Sequence, residues 1–572
     1  MFISFVNKDK AKKYFSTILF TTLFQLPLTT VQATETTVAC EVIISGGTTA
    51  ALAAALTSAN EGAETCLVEP TDWIGGQLTA EGVSAIDFPH HKTDTGVNMG
   101  TWGLQLVNNS KLFMEILNSF QGNPGNCWVS KKCFLPKEAH NIINGYVNKQ
   151  KNLKVFLNSV VKKAFSKAKH IESIQIIQRK AKTGTGYERF LSQDLSDWYS
   201  KEESQHFSKK VIRLVSKSKD KRAIFIDASP FGDLLVLSAA KFLQGAESED
   251  GSTNSFTSLD TCGQATVFPF AMELSQSEPT TDVTHRAVFP EFYSIEGFTW
   301  EKVWSYRRAK AAPECQSSYD KVCTGDISLQ NWNPGNDFPF GYLFKSYEKT
   351  IRSTGDWQGG INTDVLSLAE GHAIGWYQWL KSKAPASFKN RLSLAKSVMG
   401  TSHGLSKLPY LRDTRRSVGI DFFLLNLKHL KGNQESIPTG ERFDDTIAIG
   451  SYISDFHPLS ADQCRLPDYV FKETPYTRPF FIPFRALTNK TKDNLLVAGR
   501  TMAQSFWANS ATRLQPIEWS TGTAAGAAAA FMYRWNASSL TALGSIKDIQ
   551  SIVKKYQPIS WTIKGVRYGN RE

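Results

Sequence analysis

The chain has 572 residues, of which 41% are hydrophobic, 12% aromatic and 21% charged, with 39 Gly and 22 Pro. Those values exclude collagen-like, disordered and low-complexity classes, and the length predicts about three domains or one large two-part enzyme. Lys and Arg outnumber Asp and Glu by 65 to 53, a net charge of +12, which raises nucleic acid or an acidic surface as a partner without selecting either.

The first 33 residues change the meaning of that charge. Lys8, Lys10, Lys12 and Lys13 precede a mostly apolar run from Tyr14 to Leu28, and Val31-Gln32-Ala33 supplies small residues at a cleavage site. That pattern predicts a secretory signal peptide over 1–33. A membrane anchor is the alternative, but Ser16, Thr17, Thr21, Thr22, Gln25 and Pro27 interrupt the run, leaving it short of the ~20 apolar residues a span needs. The expectation is an exported protein, periplasmic or secreted, with no stable membrane insertion after cleavage and a mature charge of about +9.

Eight cysteines follow the cleavage site: Cys40, Cys66, Cys127, Cys133, Cys262, Cys315, Cys323 and Cys464. An even count in an exported chain predicts disulfides. Cys127 with Cys133 and Cys315 with Cys323 are the nearest local pairs, while Cys66, in its apolar run with Leu67 and Val68, fits equally a free buried thiol. No C-x-x-C or metal-spaced Cys/His cluster occurs, so no metal site is expected.

Val42-Ile43-Ile44, then Gly46-Gly47, then an Ala- and Leu-rich stretch from Thr48 to Asn60 predict strand, tight turn and helix. Gly62 ends the helix and Thr65 to Glu69 predicts a second strand, completing a βαβ unit and implying a parallel sheet. From Lys151 to Arg222, Val155-Phe156-Leu157 and Ile171 to Ile177 predict a β-meander with basic loops. Those lysines lie among Ser and Glu without interleaved stacking residues, so a solvated surface is expected rather than nucleic-acid binding. Ala223 to Ile226 and Asn494 to Gly499 predict further buried strands, Thr521 to Trp535 a tightly packed helix, and Ser545 to Lys555 a surface helix.

The βαβ unit carries the first chemistry. Gly46 permits a sharp turn out of the strand, and the N–H groups at the next helix N-terminus suit a pyrophosphate. Glu69, 23 residues later, stands where a carboxylate accepts from ribose hydroxyls. The motif Gly46-Gly47-Thr48-Thr49-Ala50-Ala51 has Thr48 where the second Gly is expected, and Ala51 at the third. Glu69-Pro70 then leads to Gly75-Gly76-Gln77-Leu78, a Gly pair suited to close backbone approach.

This span resembles the family of FAD-dependent oxidoreductases with a glutathione-reductase-like cofactor fold. Further segments fit the family in order: Asp227-Ala228-Ser229-Pro230-Phe231-Gly232-Asp233-Leu234; Leu408 to Arg416, with Asp413 for the usual Glu; Asp445 to His457; Ile482 to Leu487; Asn494 to Arg500; Thr512 to Pro516; and Gly522 to Ala530. The resemblance, from about residue 40 to 555, implies an α/β fold: a Rossmann-like FAD-binding domain with a β-meander, plus a mixed α+β cap or substrate domain. The expected division is FAD-binding domain over 38–239 and 401–540, cap over 240–400, and a C-terminal helix and tail over 541–572.

By that resemblance the cofactor, FAD, is held by Gly46, Gly47, Thr48, Thr49, Ala50, Glu69, Pro70, Gly75, Gly76, Gln77, Leu78, Asp227, Ala228, Gly232, Asp233, Gly499, Arg500, Arg513, Gln515 and Pro516. Arg500 stands where many relatives have Asp, and Asp233 fits a helix cap as readily. Oxidation by flavin needs a hydride donor carbon near N5 and a base for the accompanying proton; His457 is the first candidate, with Asp455 to orient it and Tyr452 as a lesser candidate. Arg412, Arg415 and Arg416 are candidates to clamp a carboxylate or phosphate of a small-molecule substrate. Ser505-Phe506-Trp507 replaces a His common in relatives, pointing to a more apolar pocket. Oxygen, a quinone or a redox protein is the expected electron acceptor. The alternative is an exported protein that keeps the fold for binding, with catalysis lost.

Overall fold

Two fully buried, β-branched runs set the centre of the architecture. In the computed structural model, which describes residues 35–87, 108–246, 261–279, 290–432, 437–455, 457, 477–563 and 565–569, strand β1 (Thr36–Cys40) leads almost directly into β2 (Val42–Ser45). β2 lies parallel to β3 (Thr65–Val68). Beyond β3 comes β4 (Leu153–Phe156), again parallel. Next in the chain are β5 (Ser159–Lys167), β6 (His170–Ala181), β7 (Phe207–Ser216), β8 (Ile224–Asp227) and, far downstream, β9 (Leu495–Val497). The central sheet runs β9-β8-β2-β3-β4, and all its pairings are parallel. β2, β3, β8 and β9 are buried on both faces and need no polar alternation, as their sequences show. The signal-peptide reading falls outside the described residues.

A second sheet, β1-β7-β6-β5, carries the basic meander, with β5, β6 and β7 antiparallel. Val155 and Phe156 do not belong to it, contrary to the sequence expectation: β4 is the edge of the central sheet, paired with β3. A strand that pairs on one side only is half-exposed, and so reads like a meander strand.

Helix α1 (Thr49–Asn60) follows β2, and helix α2 (Gln515–Trp535) packs along it. The α2 helix starts at Gln515-Pro516, six residues before the expected start at Thr521, because Pro in the first turn sacrifices no hydrogen bond. At the crossing the helices touch backbone to backbone. A Cβ on Gly522 would sit 2.1 Å from the Ala50 carbonyl oxygen, and one on Gly526 2.4 Å from that of Ala54. Small residues on both helices are therefore required by the approach.

Between β8 and β9, a four-stranded antiparallel sheet combines Arg308–Lys310, Ile327–Gln330, Phe270–Leu274 and Leu392–Leu394. The long helix Thr363–Lys383 lies beside it. Cys127 pairs with Cys133 and Cys315 with Cys323, as the spacing suggests. The free-thiol reading of Cys66 is corrected: it is bonded to Cys40, with Cα atoms 6.0 Å apart. Cys40 ends the strand that feeds β2, the neighbour of β3, so the pairing follows from the sheet order. Among the described residues no helix is long and apolar enough to cross a membrane, and no group of three or more His, Cys, Asp or Glu is placed to hold a metal.

Candidate active site

The turn after β2 is held by its own polar side chains. Thr48 caps α1, accepting from the Ala51 N–H at 3.2 Å, and donates to the Ala228 carbonyl at 2.7 Å. Its hydroxyl thereby ties the turn to the segment after β8, where a Gly would leave the two separate. Gly47 has φ of +110°, with Pro70 and Pro230 on either side of where a Cβ would project. The Gly75-Gly76 pair lies directly over α1: a Cβ on Gly76 would meet the Thr48 Cα at 2.5 Å, and the Thr49 hydroxyl donates to the Gly75 carbonyl at 3.0 Å. Glu69 is buried, accepts from the Thr71 N–H and hydroxyl, and is pushed up to about 8 by burial.

The same region receives the start of α2. Gln77 donates to the Arg513 carbonyl at 2.7 Å, and Gln515 donates to the carbonyls of Val83 and Ala85 at 3.3 and 3.1 Å. The segments near residues 77 and 515 are thus stitched together, with Leu78 and Pro516 buried at the seam. Gln77 Oε1, Ser84 Oγ and Gln515 Oε1 are buried there without a partner among the described residues. Burying such atoms costs about 1–3 kcal/mol each unless a donor meets them. A polar ligand or a water at the seam would supply the missing donors.

Arg513 leads from that seam into a cleft of about 670 Å³. Tyr410, Arg412, Tyr452, Asp455, His457 and Arg513 line it, together with Asp87, Arg307, Asn331 and the aromatic residues Phe298, Tyr306 and Trp332. His457 Nδ1 hydrogen-bonds Asp337, whose other oxygen accepts from Arg412 at 2.8 Å. Burial raises the Asp337 carboxyl, but Arg412 and His457 outweigh it and hold it down to about 2. Burial and the Arg412 charge lower His457, against the opposing pull of Asp337 and Asp455. The imidazole is therefore neutral near pH 7, with Nδ1 anchored and Nε2 left to exchange a proton. Asp455 lies 3.8 Å from Nε2 and accepts from Arg513 at 3.2 Å. Its carboxyl is raised by burial but lowered on balance by His457 and Arg513. The Tyr452 phenol is pushed well up by burial and by Asp87 and Asp455, and so stays protonated.

Other predicted residues lie elsewhere. Arg500 is enclosed by Glu81 at 2.6 Å, Glu518 at 2.9 Å and the Leu411 carbonyl. Arg415 donates to Gln244, to the carbonyls of Phe231, Gly359 and Gly360, and to Thr350. Arg416 donates to the carbonyls of Gln504, Gly245 and Thr414. Both are buried in the protein rather than in the cleft wall. Asp227 accepts from Ser229 and from the Leu235 N–H, which fixes Ala228 beside Thr48. Asp233 accepts from Trp357 and Tyr199, and burial pushes it up to about 6. Gly232 is left-handed at φ +64° and Gly499 at φ +65°, the latter with its N–H on Thr521.

Asp337, Asn331 and Arg307 were not singled out by sequence. They come from the middle of the chain, where no motif marks them.

A parallel βαβ core, a meander and a helix N-terminus delivered from the far end of the chain are the parts of a dinucleotide-binding fold. The family described as FAD dependent oxidoreductase matches residues 41–187 and 208–553, and the chain belongs to it. No curated protein matches the sequence. Similar solved structures include L-proline dehydrogenase from P. horikoshii, at 12% identity over 37% of this chain and 25% of that one, TM-score 0.18. Thermovibrio ammonificans THI4 is 15% identical over 36% of this chain and 66% of that one, TM-score 0.23. A variant of the E. coli quinol fumarate reductase subunit FrdA is 12% identical over 91% of this chain and 74% of that one, TM-score 0.27. The chain thus spans only a quarter of the dehydrogenase it matches.

The cofactor of the family is FAD, and the residues present fit it. The glycine turn after β2, the acidic end of β3 and the unpartnered amide and hydroxyl oxygens of Gln77, Ser84 and Gln515 are suited to phosphate, ribose and ring polar groups.

Proposed function

We propose that the protein is an exported enzyme that oxidises a small organic substrate in the cleft around His457. The observation that carries this reading is the chain Arg412–Asp337–His457, which presents a neutral, oriented imidazole to that cleft. FAD, when bound, supplies the two-electron acceptor. His457 takes the proton that leaves the substrate at Nε2, and Asp337 stabilises the resulting imidazolium. Arg412 keeps Asp337 ionised for that task. Tyr452, as a protonated phenol, donates a hydrogen bond to a substrate oxygen, and Asp455 holds Arg513 at the cleft wall. When FAD is bound, Gly46 to Ala50, Glu69, Pro70, Gly75 to Leu78, Gln515 and Pro516 would hold it, with Asp227, Ala228, Gly232, Asp233, Gly499, Arg500 and Arg513 as the further candidates for that role. The proposed domains are 38–239 with 401–540 for the cofactor, and 240–400 as the cap. Three disulfides are compatible with export, and oxygen, a quinone or a redox protein takes up the electrons.

The test is the colour of the purified mature chain. Bound FAD gives a yellow protein that a substrate bleaches anaerobically, and His457→Ala slows that bleaching at least 100-fold while leaving the bound FAD in place. A colourless chain that takes up no added FAD sinks the reading.

A further inference from the structure

The cleft holds one cation that no carboxylate answers among the described residues. Arg307 caps the helix Trp300–Tyr306, and its guanidinium donates through Nη1 to the Asn331 carbonyl. It also lies 4.8 Å over the Tyr306 ring. Its Nε is buried without an acceptor. Arg412 reaches the same residue from the other side, donating through Nη2 to Asn331 Oδ1 at 3.3 Å, and its Nε is buried without an acceptor too. Two planar guanidiniums of residues that line the cleft are thus hung on one asparagine, each with a buried Nε–H that has no acceptor among the described residues.

The other two guanidiniums are already matched. Asp337 answers Arg412 and His457, and Asp455 answers Arg513. Of the three guanidiniums that line the cleft, Arg412 and Arg513 are thereby paired, and Arg307 alone has no carboxylate in ion-pair reach among the described residues. The rest of that wall is aromatic. Trp332 meets Phe298 and Tyr306 edge-on at 5.2 Å each, and Phe298 is 39% exposed.

We propose that the substrate is a carboxylic acid with an aromatic or alicyclic body, its carboxylate seated between Arg307 and Arg412 at Asn331 and its body against Trp332 and Phe298. A monoanion pairs with the one guanidinium that lacks a carboxylate, and neighbouring planar guanidiniums suit the two oxygens of a carboxylate. A phosphate monoester, near −2, overshoots the charge. The proposal rests on the cleft being the active site, as argued above.

Isothermal titration of the mature chain with phenylacetate, 3-phenylpropionate and cyclohexanecarboxylate tests it, against phenylacetamide and phenyl phosphate. At least one carboxylate is expected to bind tenfold or more tightly than the amide and than the phosphate. Arg307→Met and Arg307→Gln, which lose one hydrogen bond on a half-exposed side chain, are each expected to erase that preference without changing the melting temperature; if one fails to fold, the other and the wild-type comparison decide. No carboxylate preference, tighter phenyl phosphate, or a preference that survives loss of Arg307 overturns the proposal. Flavin absorbance in the same samples separates the two claims. A colourless chain that prefers carboxylates removes the oxidoreductase reading and leaves the anion site standing; a yellow chain with no preference does the reverse.

Discussion

The seam between α1 and α2 and the cleft around His457 are built on opposite principles. At the seam, backbone meets backbone: the carbonyls of Ala50 and Ala54 leave no room for a side chain at Gly522 or Gly526. At the cleft, charged side chains from residues near 307, 331–337, 412, 455–457 and 513 hold one another in place. One region is specified by what is absent from its residues, the other by mutual compensation among groups far apart in the chain. The first should break sterically and without regard to pH, the second electrostatically and with a pH signature.

The largest expected effect is at the seam. Alanine improves on glycine inside a helix by about 1 kcal/mol, and Gly145→Ala, where nothing lies within 4 Å of the new Cβ, should show that gain. Gly522→Ala places the same atom 2.1 Å from the Ala50 carbonyl oxygen. Neither backbone can yield cheaply, so the variant should lose more than about 3 kcal/mol. Urea unfolding of the pair measures both. Equal stability of the two variants would mean the helices are free to separate.

At the cleft, Asp337→Asn leaves Arg412 buried without its carboxylate and should cost about 3 kcal/mol at neutral pH. The sign with pH follows from the depressed carboxyl. With about 2 in the folded chain against 3.8 unfolded, the stabilisation is complete above about pH 4 and disappears as pH falls through 2. Wild type and variant should therefore converge in acid unfolding curves. A gap that persists at pH 2 would make the loss steric rather than electrostatic.

Glu370 sharpens the contrast, being a buried carboxyl that no cation answers among the described residues. It accepts from the Ser192 N–H and hydroxyl, and burial pushes it up to about 7. Its sign is the reverse: the stabilisation is complete below 4.5 and is lost as pH rises through 7. Glu370→Gln removes the titration, so the variant should gain on the wild type by on the order of 2 kcal/mol between pH 5 and pH 8. Thermal melts across that range decide it, and parallel curves would mean that Glu370 stays ionised.

What the sequence disclosed divides along the same line. The strand Val42–Ser45, the glycine turn, the acidic end at Glu69 and the Ala-rich helix are local patterns, readable because backbone geometry restricts which residues can stand there. His457, Asp455, Tyr452 and Arg412 were found through short segments and do share one cleft. Arg415 and Arg416, equally prominent in the same segment, are occupied by backbone carbonyls, and nothing in a run of arginines tells which of them faces a cavity. Asp337 was illegible for a different reason. It belongs to a two-residue strand in a segment without period or motif, and its importance exists only once His457, 120 residues away, is folded against it.

Thr48 stands where the two principles meet, a side chain in the place of a glycine. Its hydroxyl accepts from the Ala51 N–H as a helix cap and donates to the Ala228 carbonyl, closing the turn against the segment after β8. Losing a threonine cap costs about 1 kcal/mol, and the bond to Ala228 is a neutral one of comparable worth. Thr48→Ala should therefore cost about 1–2 kcal/mol, while Thr48→Ser, which keeps both bonds, should stay within about 0.5 kcal/mol of the wild type. Thr48→Gly removes the same hydroxyl but restores the residue that the dinucleotide turn usually carries. If the hydroxyl only braces the turn, all three variants should retain FAD as the wild type does, and their urea midpoints alone should separate them. If FAD retention instead follows the hydroxyl, falling in both the Ala and Gly variants and persisting in Ser, then Thr48 itself contacts the cofactor, and the turn must be counted with the cleft as a site built from side chains.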